Sequence, residues 1–88
     1  MSDQTIDGIL KRIEDYGSEA EFAKIVADAL ALQPQAELAA FKKKLGALCG
    51  RVPPSTIDRW ARAASIPGEN VRRHVLGRIR DLLTDGRP

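Results

Sequence analysis

With one cysteine, Cys49, and one histidine, His74, the chain can close no internal disulfide and has no ligand set for a structural zinc site. No metal and no cofactor is expected, and Cys49 reads as a buried, inert thiol. No apolar run approaches the ~20 residues that cross a bilayer, and Met1-Ser2-Asp3-Gln4 lacks the basic-then-apolar layout of a signal peptide. A cytoplasmic protein without membrane contact is the expectation. No serine or cysteine has a plausible base nearby, and Asp7, Glu14 and Asp15 fall on exposed helix faces, so the residues offer no catalytic constellation and no enzyme is expected. The scattered glycines form no phosphate-binding loop. Alternation with a period of two, the mark of a half-buried strand, occurs only in stretches too short to count, which leaves an all-α fold.

What is present fits one small domain. Eighty-eight residues support a single modest core, and 43% apolar with 30% charged residues opposes disorder over most of the length. The net charge of +2 hides a division. Residues 1–36 hold seven acids against three bases, a net of −4, and residues 37–88 hold eleven bases against five acids, a net of +6. The basic end can approach a polyanion that the acidic end repels.

Helical periodicity divides the chain into five elements within that single domain, an acidic pair over 1–36 and three more over 37–84. Ile6, Ile9, Leu10, Ile13 and Tyr16 predict a helix over about residues 4–16, with Gly17 in a left-handed cap. Ser18-Glu19-Ala20-Glu21 has the form of a capping box ahead of Phe22, Ile25, Val26, Ala29 and Leu30, a second helix reaching about Leu32. Pro34 breaks the chain. Leu38, Phe41, Leu45 and Leu48 then mark one face of a third helix, with Lys42, Lys43 and Lys44 turned largely outward. A short fourth helix, Ser55 to Ala64, carries Ile57, Trp60, Ala61 and Ala64 on one stripe, with Asp58, Arg59 and Arg62 opposite. In the fifth, Val71, Val75, Leu76, Ile79, Leu82 and Leu83 repeat with a 3.6-residue period and His74 stands at the edge of the stripe. The tail from Asp85 to Pro88 is expected to fray.

Leu45 to Pro67 is the segment with functional content. Gly50 supplies the positive φ of a tight turn, Pro53 and Pro54 permit an abrupt restart, and Ser55 and Thr56 are capping candidates. Leu45, Gly46, Cys49 and Gly50, followed by Val52 and by Ser55-Thr56-Ile57-Asp58-Arg59-Trp60, resemble the helix-turn-helix of the lambda-repressor-like, Xre/Cro-type DNA-binding family. The resemblance covers about residues 38–83 and extends to Pro67, where members often open the next packing helix. Two positions depart from the pattern. Arg51 adds a residue between Gly50 and Val52, so either the turn is lengthened or the first motif helix is shifted by one. Ala63 replaces a glycine that often ends the reading helix, which would let that helix run a residue or two further.

The resemblance implies a sequence-specific DNA-binding regulator of bacterial or phage type, a repressor or co-regulator that lays the fourth helix in the major groove of double-stranded DNA. Ser55, Thr56 and Arg59 would read bases, and Arg51, Arg62, Arg72 and Arg73 would hold the backbone, helped by the dipole at the start of the fifth helix. Asp58 would accept from a cytosine amino group or orient Arg59. Such readers pair on two half-sites, and Ile6, Ile9 and Ile13 form a candidate homodimer face. Plainer readings stand beside these. Trp60 belongs to the packed stripe, Arg59 and Arg62 would read as solvated charges without the flanking motif, and Lys42 to Lys44 would serve equally as a solvated helix face. The alternative function is a helical protein-interaction module, antitoxin-like or a phage inhibitor, that keeps the shape without binding DNA.

Overall fold

The structure, a computed structural model, describes residues 6–85. Five helices follow in order: α1 (Ile6–Glu14), α2 (Glu19–Ala31), α3 (Gln35–Leu48), α4 (Pro54–Ala61) and α5 (Glu69–Asp85), with no strand among the described residues. The expected all-α, five-helix architecture is the one observed.

α1 ends at Glu14, two residues before the expected end, and expected positions 4 and 5 lie outside the described residues, as do 86–88 of the tail. Gly17 does not adopt the left-handed cap assigned to it, since among the described residues Gly50 is the glycine with positive φ. It serves the next helix instead. The Gly17 amide donates to the Glu21 carboxylate at 3.1 Å, while the Ser18 hydroxyl accepts from the Glu21 amide at 3.2 Å. The predicted capping box is therefore built, with the glutamate reaching one residue further back than the serine.

α2 is the hub. It buries Phe22, Ala23, Ile25, Val26, Ala29 and Leu30 and packs against all four other helices, α4 most extensively. Phe22 meets Trp60 edge to face, ring centroids 5.9 Å apart and planes at 64°. This is a favourable arrangement, in which one ring's positive edge points at the other's negative face. Trp60 is a packing residue, as its stripe requires. Each helix contributes to the same core, Ile9 from α1, Leu45 from α3, Ile57 and Trp60 from α4, and Val75, Leu76, Ile79 and Leu83 from α5.

The isoleucine stripe of α1 has a use within this chain. Ile9 is wholly buried in the shared core, and Ile6 and Ile13 pack half-buried against it. Ile9 is thus occupied, and no part of it remains to meet a second copy. Two other stripe residues also depart from expectation. Leu48 is 42% exposed and Val71 43% exposed. In α3 the inward place at the helix end goes to Gly46, because the chain emerging from the turn crosses over it. In α5, Val71 stands in the first turn, one helical turn before the first buried residue, Val75.

Candidate nucleic-acid interface

The segment from Gly46 to Ala64 is held by backbone contacts before any side chain acts. The Val52 amide donates to the Gly46 carbonyl at 2.9 Å. A Cβ on Gly46 would collide with the Val52 carbonyl oxygen and come within 3.2 Å of its carbon. Only glycine admits this crossing. The turn itself contains two successive left-handed residues, Gly50 at φ 95° and Arg51 at φ 68°. Leu45 is buried, Gly46 lies beneath Val52 and Cys49 is half-buried, and Arg51 is part of the turn between α3 and α4. Burial pushes the Cys49 thiol up to about 11, against the opposing influence of Arg78, and the group stays protonated near neutrality.

α4 starts earlier than expected. Pro53 is its N-cap, with extended geometry and no capping side chain, and Pro54 occupies the first turn. The missing proline amides are ones a helix start leaves unbonded in any case. Ser55 and Thr56 are therefore not caps; they lie inside the first turn, Ser55 exposed and Thr56 half-buried. The helix also ends earlier, at Ala61, and does not run on as the absence of a glycine suggested. Ala63 takes the left-handed position itself, at φ 58°. Its amide donates to the Trp60 carbonyl at 3.0 Å and the Ala64 amide to the Arg59 carbonyl at 2.9 Å, the bond pattern of a Schellman end. Ala64 is consequently exposed and leaves the packed stripe, which consists of Ile57 and Trp60 with Ala61 half-buried.

Opposite that stripe stand Ser55 and Arg59, one helical turn apart and both exposed, with exposed Arg62 at the C-cap. Arg51 is exposed in the preceding turn. The arginines of the described residues fall into two sets. Arg12, Arg72, Arg73, Arg78 and Arg80 each have a carboxylate within 4.0 Å. Arg51, Arg59 and Arg62 have none among the described residues.

Arg72 was expected on a phosphate and is engaged elsewhere. Its side chain, 13% exposed, donates to the Tyr16 hydroxyl and to the Pro67 carbonyl at 2.8 Å, and pairs with Glu19 at 3.5 Å. These contacts hold its charge, and the Tyr16 bond foremost pushes its pKa up. Arg72 ties the start of α5 to the α1–α2 corner. Arg73 is at the surface, paired one turn away with Glu69 at 3.1 Å. The predicted set therefore divides: Ser55, Arg59 and Arg62 share a face next to Arg51, Thr56 flanks it, and Arg72 lies outside it.

Sequence reasoning turned Lys42 outward; it is half-buried, its ammonium 3.1 and 3.3 Å from the two carboxylate oxygens of Asp58. A signal was present, since Lys42, Leu45, Gly46 and Cys49 stand at i, i+3, i+4 and i+7, the spacing of an inward face. His74 is exposed at the edge of its helix, its Nε2 3.2 Å from the Leu48 carbonyl at the end of α3. On the other flank of α3 an open groove of about 350 Å³ is lined by Ile6, Phe41, Lys44, Leu82 and Leu83 among others. No helix among the described residues is long and apolar enough to cross a membrane. No family model, no curated protein and no solved structure matches this chain.

Proposed function

We propose that the chain is a small DNA-binding regulator of bacterial or phage type that presents the outer face of α4 to the major groove of double-stranded DNA. One observation carries this reading. The three arginines without a carboxylate partner among the described residues, Arg51, Arg59 and Arg62, all belong to the turn and helix of the motif-like segment. An arginine free of local partners keeps its donors available, and its planar fork matches the two acceptors on the guanine edge or a phosphate. Ser55 supplies a short donor and acceptor one turn earlier on the same face. Ile57 and Trp60 fix α4 from behind, so the face is offered on a rigid element. Arg59 and Ser55 read bases, Thr56 borders them, and Arg51 and Arg62 hold phosphates, with Arg73 available once it leaves its exposed partner.

The test is binding of the intact chain to random-sequence duplex at two salt concentrations, followed by selection of a preferred sequence from a random pool. A cationic face that displaces counterions loses affinity steeply as salt rises, by ~0.9 logarithmic unit per phosphate neutralised for each tenfold increase. Binding that is absent, or indifferent to salt, overturns the reading and favours a protein partner in place of DNA.

A further inference from the structure

Asp58 is the one acid on α4, and it adjoins the proposed reading face, one residue before Arg59 and one helical turn before Arg62. A bare carboxylate there would repel phosphate. Lys42, reaching across from α3, places its ammonium against both carboxylate oxygens, with its own side chain 19% exposed and that of Asp58 43%. Separated, the two groups would act in opposite directions: Asp58 would weaken association with any nucleic acid, and Lys42 would strengthen it without regard to sequence, because a point charge on phosphate carries no base information. Held together, they contribute no net charge. The attraction is left to Arg51, Arg59 and Arg62.

We infer that Asp58 attenuates the electrostatic attraction of this face, acting by withholding Lys42 from phosphate so that its sequence-independent affinity for nucleic acid and the salt dependence of that affinity stay low. The inference rests on the DNA-binding reading. Of the two roles the sequence left open for Asp58, orienting Arg59 is not the one seen: both carboxylate oxygens lie against Lys42, and no ion pair joins Asp58 to Arg59 among the described residues.

Three variants of the full chain separate this from a role in stability alone. In D58N the pair is lost and Lys42 is released, a gain of one positive charge at the face. In K42M the carboxylate is left bare, a loss of one. In the double variant K42M/D58N the local charge returns to zero. Each is measured by thermal melting and by titration with a random-sequence duplex and with the duplex recovered by selection, at about 50 and about 200 mM salt. D58N is expected to melt at a lower temperature than the wild type and yet to bind random duplex more tightly. One further phosphate neutralised means that its affinity falls roughly threefold more than the wild type's across that salt range. Its affinity for the selected duplex rises by the same factor, so the ratio of the two is unchanged, as a contact without base information requires. K42M binds both duplexes more weakly, and the double variant returns to the wild-type affinity for random duplex. If all three variants lose affinity in step with melting temperature, or if D58N binds random duplex no more tightly than the wild type, the inference is overturned while the DNA-binding reading stands. If the wild type itself shows no salt-dependent binding, both fall together, and that result is read on the unaltered protein.

Discussion

α2 and α4 touch more extensively than any other pair of helices, yet they are made by different means. α2 begins with a side-chain cap from Ser18 and a returning bond from Glu21, and it ends at Leu32 with right-handed geometry, φ −70° and ψ −21°. α4 begins on two prolines with no side-chain cap, spans eight residues, and is flanked by the left-handed residues Gly50, Arg51 and Ala63, the positive-φ residues of the described chain. Two of those three carry a Cβ, which crowds the backbone in that conformation by ~1–2 kcal/mol each. A helix this short has little stability of its own and depends on tertiary packing. What the difference teaches is that α4 is positioned by its neighbours. Its polar residues are relieved of helix-making duties, and Ser55 has a free hydroxyl because the prolines start the helix in its place.

The comparison breaks most visibly at the contact between the two helices. Trp60→Ala removes the ring that Phe22 and α2 hold, and is expected to cost about 3–5 kcal/mol, enough to unfold much of a marginal domain. Chemical denaturation measures this, and a change below about 1 kcal/mol would mean that α4 does not lean on α2. Gly46→Ala comes next. A Cβ beneath the Val52 carbonyl displaces the turn at a cost of about 3 kcal/mol. Gly77→Ala in α5, where a Cβ meets nothing within 4 Å, is the control and should stabilise by about 1 kcal/mol. Equal losses at the two glycines would remove the argument for a close crossing.

Arg59→Ala acts on binding alone. It should leave the denaturation midpoint unchanged and weaken binding to the selected duplex by about 1–3 kcal/mol, the worth of a good bidentate base contact. The smallest effects carry opposite signs. Ala63→Gly relieves a left-handed alanine and should stabilise by about 1 kcal/mol, while Ser18→Ala removes the α2 cap and should destabilise by about 1 kcal/mol. Melting curves showing the same sign for both would erase the contrast between a satisfied helix and a strained one.

How much of this was legible in the sequence depends on the range of the interaction. The five helices, the Ser18–Glu21 box, the break at Pro34 and the positive φ of Gly50 are local, and periodicity and turn chemistry expose them. The glycine pattern correctly marked Ala63 as unusual but gave the wrong outcome. The Schellman bonds and the packing of Trp60 impose the left-handed conformation on an alanine that prefers otherwise. Within the candidate site, helical spacing put Arg59 and Arg62 opposite the packed stripe, whereas Ser55 was expected as a cap and shares their face because the prolines start the helix before it. The engagement of Arg72 within the fold was not legible because its partners, Tyr16 and Glu19, lie more than fifty residues away in the chain, and charge at a helix start reads the same whether it faces solvent or tyrosine. Lys42 was misjudged for a different reason: a lysine in a run of three looks like solvated surface, although its spacing to Leu45 and Gly46 points inward.

The dependence of α4 on α2 bears on whether the segment could stand apart from the rest of the chain. Residues 37–84 look like a cassette, with a turn, a basic helix and a supporting helix in sequence. The platform beneath that cassette is supplied by Phe22, Ile25 and Val26 from the acidic half. Moved to another scaffold without α2, the segment would present Ile57 and Trp60 to water, and its eight-residue helix would lose its backing. The two halves of opposite charge therefore fold as one unit, and substitutions confined to the outer surface of α4 are the changes that leave this packing intact.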